Sequence, residues 1–475
     1  DPRVTPVKEA ERWREAMAAA GAELVAVDQN PIDAIWADQP GDPFSAIHAQ
    51  PLKYAGEASA DKRGRLGADI AARGAKAAVL NQLDSIAWVL NVRGGDTPAT
   101  PLVQSFLILT ADGHATWFVD RAKFTAGLDA HLGNGVTVRP IEAFADGLRE
   151  LAGQTVTIEP ETATAWIAET LKAAGAAIVN GQDPSVLPKA RKNKVELAGT
   201  RKAHIRDGAA MARFLHWIDR EAVGQGELAV MAKLEEFRGA DSLHKGASFT
   251  TIAGAGSNGA IVHYRSSTET ERKVEKGTFL LIDSGAQYLD GTTDITRTIA
   301  VGRVPKRLRE HYTLVLKGHI AVATARFPKG TGGIALDGFA RRALWQAGLD
   351  FDHGTGHGVG VYLGVHEGPA RLSPLSQVPL EPGMILSNEP GFYETGSHGI
   401  RLENLVVVTE SAKPGFLEFE TITFCPFDRR AIVVAMLTAE ERRWLDAYHA
   451  RTRDLLVGQV KGADRAWLLR MTAPL

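Results

Sequence analysis

Four carboxylates stand inside apolar runs that read as β-strands, and any fold that buries those runs must provide for their charge. In "LIDSGAQYLDGTTDITRT" (281–298), Asp283 and Asp294 lie on either side of the turn signal Asp290-Gly291. A chain that folds back there lays two strands side by side and brings both carboxylates together. In "ILSNEPGFYETGSHGIRLENL" (385–405), Glu389 and Glu403 flank "ETGSHG", again a turn between apolar strands. A carboxylate in such a run is costly unless it is paired or bound to a cation. Asp290 and Glu394, by contrast, read as turn residues on the surface.

A second stretch, "HGTGHGVGVYLGVHEGP" (353–369), sets three histidines among glycines. Alone it fits a phosphate, a metal or a proton relay through His366-Glu367. Joined to the four acids, His357 completes an economical site for two divalent metals, since bridging carboxylates let five side chains hold ions ~3.5–4 Å apart. Oxygen-rich ligation with one imidazole favours manganese, cobalt or zinc over copper. The glycines are then expected to let this loop pack close around the metal pair.

Composition removes other classes. With 54 basic against 56 acidic residues in 475, and 44% hydrophobic, the chain reads as an ordinary globular protein without a basic surface for nucleic acid or membrane. The single cysteine, Cys425, excludes an internal disulfide and a Cys-based zinc site, and it suits a reducing, cytoplasmic setting. No apolar run approaches the ~18–20 residues of a membrane span. "GAGSNG" (254–259) fits G-x-G-x-x-G, but "AIVHYR" after it reads as extended rather than helical, so the dinucleotide context is missing. "HEGPA" (366–370) lacks the second histidine of H-E-x-x-H.

The length prior is about three domains. From Lys62 to about Asn180, helices and strands alternate: strand "KAAVLN" (76–81), helix "LDSIAWVLN" (83–91), a hairpin over 105–120 turning at Asp112-Gly113, helix 162–175 and strand "AAIVN". "KARKNKVE" (189–196) reads as a connector leading into a helix. Beyond Glu196 the spacing predicts a long amphipathic helix, a second over 227–238, then strands 277–285, 296–302, 383–393 and 400–408, with helices over 311–327 and 334–348 between them. That order suggests two halves built alike. Thr438 and Glu441 form a capping box for a last helix. Residues 1–61 hold a helix, "VKEAERWREAMAAAG", and a strand, "AELVAV", too little for a robust domain.

The set Asp283, Asp294, His357, Glu389 and Glu403, in that order and in those contexts, resembles the metallopeptidases of pita-bread fold, to which methionine aminopeptidase, prolidase and aminopeptidase P belong. The likeness covers about residues 196–437. It is nearest the cytosolic-type, three-domain Xaa-Pro aminopeptidases, which "LIDSGAQYLDGTTDITRT", "HGTGHGVG", "VHEGP", "GIRLENLVVV" and the step from His357 to His366 all resemble. The resemblance implies an α/β (α+β) architecture: a remnant or tail of a first N-terminal domain over 1–61, a creatinase-like α/β domain over 62–190, and a pita-bread catalytic domain with a C-terminal helical extension over 191–475. It implies that Asp283 chelates one metal, that Asp294 and Glu403 bridge both, and that His357 and Glu389 complete the second. Manganese is the first expectation, zinc or cobalt the alternatives. A water or hydroxide between the ions would be the nucleophile, with Glu389 as its proton acceptor. His263 and His366 would bind substrate and stabilise the tetrahedral intermediate, and His353 would shape the pocket for the proline after the scissile bond. Tyr393 and Arg401 match positions that support the ligands, and Arg401, two residues before Glu403 on a strand, faces the same side.

The expected activity is hydrolysis of the bond between an N-terminal residue and a following proline in peptides, by a cytoplasmic homodimer. Two alternatives stand beside it: a prolidase restricted to Xaa-Pro dipeptides, and a pita-bread binding protein without catalysis, whose relatives usually lack some of the ligand acids. One departure matters. Only about sixty residues precede the Lys62 unit, and the chain opens on Asp1-Pro2. Truncation, clipping and a natural short form each fit, which leaves peptide-length preference and oligomeric state open.

Overall fold

The structure, a computed structural model, describes residues 1–27 and 29–475. It divides into two compact units, Asp1–Lys189 and Ala190–Leu475.

The first unit is built on a six-stranded mixed sheet, ordered in space Val136–Arg139, Ala115–Phe118, Phe106–Thr110, Ala77–Leu80, Thr155–Ile158, Ala177–Asn180. The expected hairpin is present: Phe106 pairs with Phe118, and the chain turns at Asp112-Gly113. Both predicted helices form, as Leu83–Leu90 and Ala165–Ala173. The N-terminal helix, Val7–Ala19, adds Val7 to a core with Val79, Phe118, Val156 and Ile167. The strand expected over 22–27 does not form. Val25 and Val27 are exposed there, and the segment pairs with none of the described strands. Local β-propensity without a partner strand does not make a strand.

The second unit opens with helix Lys194–Glu221, started by a capping box of Asn193 and Glu196, and continues with helix Glu227–Arg238. These cover an antiparallel sheet of Ile252–Ala255, Thr278–Ser284 and Ile295–Val301, with Phe214, Leu280, Ile282 and Ile299 in the core between them. The pattern then repeats. Helices Lys306–Ala323 and Ile334–Trp345 precede a six-stranded sheet in which Gly356–Gly358, Ile385–Asn388 and Asn404–Glu410 are central neighbours. The first of these helices begins five residues earlier than expected, and Arg326–Pro328 is a short strand rather than its end. Thr438 and Glu441 do cap a terminal helix, Ala439–Leu456.

Two long strands expected from the apolar pattern are each broken. The run 383–393 splits into Ile385–Asn388 and Gly391–Glu394, and the run 400–408 into His398–Arg401 and Asn404–Glu410. Pro390, which has no N–H to give a ladder, marks the first break. Each break falls at a predicted acid, Glu389 or Glu403. Asp290 also departs from expectation. It is buried, ion-paired to Arg206 on the long helix, so the turn is capped from a distant element.

Candidate metal and peptidase centre

The breaks in the strands are what aim the acids. Asp283 lies near the end of strand Thr278–Ser284, opposite Thr296, and Asp294 immediately precedes the strand that pairs with it. Across from them, Leu402 and Glu403 leave one ladder before Asn404 joins the next. The Glu403 N–H is given to Thr296 O (3.1 Å), and the Thr296 hydroxyl donates to Glu403 Oε2 (2.8 Å). Thr298 makes the same link with Arg401, accepting from its N–H and donating to its carbonyl. Arg297, 1% exposed, pins the crossing by donating to Glu403 O (2.6 Å), Cys425 O (2.7 Å) and Asn404 Oδ1 (2.8 Å).

His357 and Glu389 come from the other sheet. The His357 N–H donates to Ser387 Oγ (2.9 Å), and that hydroxyl donates to Glu389 Oε1 (3.1 Å). The glycines act here in a different way from the one expected. A Cβ on Gly356 would stand 1.9 Å from Ser387 O, and one on Gly358 2.1 Å from Glu367 O. They let strand Gly356–Gly358 approach its neighbours, and the imidazole is carried to the acids by that packing. His357 Nε2 is 3.4 Å from Glu389 Oε1 and 3.5 Å from Asp294 Oδ2.

Asp294, His357, Glu389 and Glu403 are thus brought together, and Asp283 is near enough for its charge to act on Asp294, Glu389 and Glu403. Asp283, Asp294 and Glu403 are buried, at 8%, 4% and 1% exposure, yet Asp283 Oδ1, Asp294 Oδ1 and Glu403 Oε1 have no hydrogen-bond partner among the described residues. Donor atoms of Asp294, His357 and Glu403 lie within 4.8 Å of one another. Burial first, then the neighbouring carboxylates, drives the pKa of Asp294 and of Glu403 well above the ordinary range, and burial raises Glu389. Buried acids that cannot all be charged, with oxygens free to receive a cation, are the donor set a divalent ion pair requires.

Arg401 donates to Asp283 Oδ2 (2.6 Å) and to Tyr393 Oη (2.7 Å), and Tyr393 Oη lies 2.8 Å from His353 Nε2. With His353 Nδ1 against Gly354 O (2.8 Å), the consistent proton order runs Arg401 to Tyr393 to a neutral His353. Burial pushes His353 down to about 4, and burial pushes Tyr393 up to about 12. The His366 ring stands 4.0 Å from that of His357, edge to face. Lost hydration and the charge of His357 bring it to about 4, while its side chain still reaches solvent. His263 is exposed and near enough to His353 and His366 for its charge to depress both. Thr296, Ser387 and Arg297 are the residues the sequence did not single out. Thr296 and Ser387 each sit two positions from a ligand acid, the strand spacing that shares a face.

Residues 198–410 match metallopeptidase family M24, residues 38–196 the creatinase/prolidase N-terminal domain, and residues 415–475 the C-terminal region of peptidase M24. Aminopeptidase P1 of Lotus japonicus is 37% identical over 548 residues, covering 100% of this chain and 83% of that protein. Among solved structures, the X-prolyl aminopeptidase of Caenorhabditis elegans, described as a cytosolic enzyme with a di-nuclear active site, superposes with a TM-score of 0.95 at 32% identity, covering 100% of this chain and 80% of that one. The Xaa-Pro dipeptidase of Bacillus anthracis superposes with a TM-score of 0.64 at 27% identity, covering 78% of this chain and 99% of that one.

Proposed function

The chain belongs to metallopeptidase family M24, and from that membership and the buried acid cluster we propose that it is an Xaa-Pro aminopeptidase, releasing an N-terminal residue that precedes proline. The observation that carries the chemistry is that Asp283, Asp294 and Glu403 each bury a carboxylate oxygen without a hydrogen-bond partner among the described residues, while donor atoms of Asp294, His357 and Glu403 lie within 4.8 Å of one another. Asp283, Asp294, His357, Glu389 and Glu403 would hold two divalent ions, with manganese first and zinc or cobalt as alternatives for so oxygen-rich a set. Ions held there supply Lewis acidity to the scissile carbonyl and lower the pKa of water.

The chain's own residues do the rest. Glu389, its pKa raised by burial, takes a proton from the attacking water and returns it to the leaving proline nitrogen. His366 and His263, on the solvent side, hold the substrate and stabilise the tetrahedral oxyanion. His353 borders the place of the proline ring, its orientation fixed through Tyr393 and Arg401. Arg401 also keeps Asp283 aimed, since it grips one oxygen and leaves the other without a partner.

The substrate class is peptides with proline second. Cytoplasmic location and a homodimer belong to the same proposal. The description of the Caenorhabditis elegans enzyme as cytosolic supports the first, and family resemblance alone suggests the second. Chelated, then manganese-restored protein should release the first residue of an Xaa-Pro-Pro tripeptide, with activity abolished by chelator and regained with metal. Cleavage of an Xaa-Pro dipeptide alone would make the chain a prolidase. Cleavage of neither, with metal bound, would favour a binding protein.

A further inference from the structure

The hairpin that carries Tyr393 and Arg401 has a second face. Pairing of Gly391 with Arg401 and of Tyr393 with Gly399 puts those side chains on one side, so Phe392, Glu394, His398 and Ile400 occupy the other. That side meets helix Lys306–Ala323. There His311 Nδ1 stands 3.2 Å from His398 Nε2, and the ring of His311 lies edge-on to Phe392. Glu394 Oε2 is 3.4 Å from His398 Nδ1. A donor atom from each of His311, Glu394 and His398 lies within 4.8 Å of the other two. None of the three has a part in the peptidase chemistry.

Two nitrogens bound to one tetrahedral zinc at ~2.0–2.1 Å stand about 3.3 Å apart. His311 Nδ1 and His398 Nε2 already hold that edge; Glu394 stands on the Nδ1 side of His398, which also meets Ser397 Oγ (2.9 Å), and turns toward Nε2 to supply the third corner. We propose that His311, Glu394 and His398 form a site for one divalent transition-metal ion, zinc by preference, separate from the acid cluster, which pins the hairpin to helix Lys306–Ala323. Two nitrogens, one carboxylate oxygen and a water make a common four-coordinate zinc set. Imidazole ligates when neutral, and burial, first among the causes, lowers His311 and brings His398 to about 4, so both rings are neutral near pH 7. The competitor is Arg307, which donates to both oxygens of Glu394 at 2.7 Å from an exposed position and must give way to the ion. Because the same hairpin presents Tyr393 and Arg401 to the acids, an ion on this face stiffens their support.

The test uses full-length protein carrying Asp294→Ala and Glu403→Ala, which disables the acid cluster, and titrates it with zinc alone by calorimetry. One equivalent should bind. His311→Gln or His398→Phe should weaken that binding by about 10–100-fold, as for a lost supporting or direct ligand. Arg307→Gln leaves all three ligands in place and should tighten it about fivefold, the worth of an exposed ion pair. No zinc bound by the folded double variant would overturn the proposal, because the imidazole pair would then be a plain N–H···N hydrogen bond. So would an affinity that neither His311→Gln nor Arg307→Gln changes.

Discussion

Two groups of buried acids lie close together in the second unit and are treated oppositely. Asp337 meets its cation within the chain: Arg341, one helical turn on, donates Nε to Oδ2 (2.6 Å) and Nη2 to Oδ1 (3.2 Å), and Thr355 donates its hydroxyl to Oδ1 (2.8 Å). Arg341 then spends its remaining N–H groups on Asp350 and on the carbonyls of Phe351 and His353. Asp294 and Glu403 are as deeply buried, yet no guanidinium or ammonium pairs with either among the described residues, and each keeps an oxygen without a partner. Equal burial with unequal neutralisation separates a strut from a site. The first cluster fixes the backbone that carries His353, and the second is complete only with charge from outside the chain.

The sharpest break in that comparison is Glu403→Ala. It removes one of the carboxylates that would hold the ions, so bound metal and turnover should fall together, turnover by about 10³-fold or more, equal to about 4 kcal/mol of transition-state stabilisation. His366→Ala, which lies outside the proposed ligand set, should lower turnover by about 10²-fold with metal content unchanged. Metal analysis beside single-turnover rates reads both. Metal lost from His366→Ala would move that residue into the ligand set.

Arg341→Met probes the strut. It leaves Asp337 buried without its cation and should cost about 3–5 kcal/mol in unfolding of the metal-loaded protein. Replacing both partners, Asp337→Leu with Arg341→Met, should recover most of that loss, because it removes the uncompensated charge. A denaturant titration in which the single variant loses less than about 1 kcal/mol would place the pair among ordinary surface ion pairs.

The unsatisfied cluster was the legible one. An acid in an apolar run declares itself in one dimension, and so do two hairpin turns and a histidine among glycines. The hairpin at Asp112-Gly113, the first unit's alternation and the capping box at Thr438 follow from spacing of the same local kind. The satisfied groups stayed hidden because their partners are remote: Asp290 looks like a surface turn until Arg206, 84 residues earlier, closes over it. Arg297 reads as one charge in a strand until the crossing at Glu403 gives it six acceptors on four segments. The strand breaks at Glu389 and Glu403 were invisible for a related reason. The apolar pattern reports burial, and both sides of each break are buried; only the change of partner strand ends the ladder.

The mildest test asks what stands in for the cation when it is removed. The Asp294 and Glu403 pKa values lie well above those of an unfolded chain, where a glutamate titrates near about 4.3. Above that pH the native state holds a proton that the unfolded state has released, so the metal-free fold loses stability as pH rises through the native pKa values. Below it both states are protonated and that penalty is absent. Glu403→Gln keeps an oxygen to accept from Thr296 and replaces the titrating oxygen by a neutral donor facing Asp294. In chelated protein it should therefore stabilise the fold by about 1 kcal/mol at pH 8 and by progressively less toward pH 5. With metal restored the sign should reverse, since the same change then removes a charged ligand. Thermal melts of both proteins, with and without chelator across that pH range, read the two signs directly. If Glu403→Gln destabilises the chelated protein at every pH, the acids are neutralised by something within the chain, and the distinction from Asp337 with Arg341 fails.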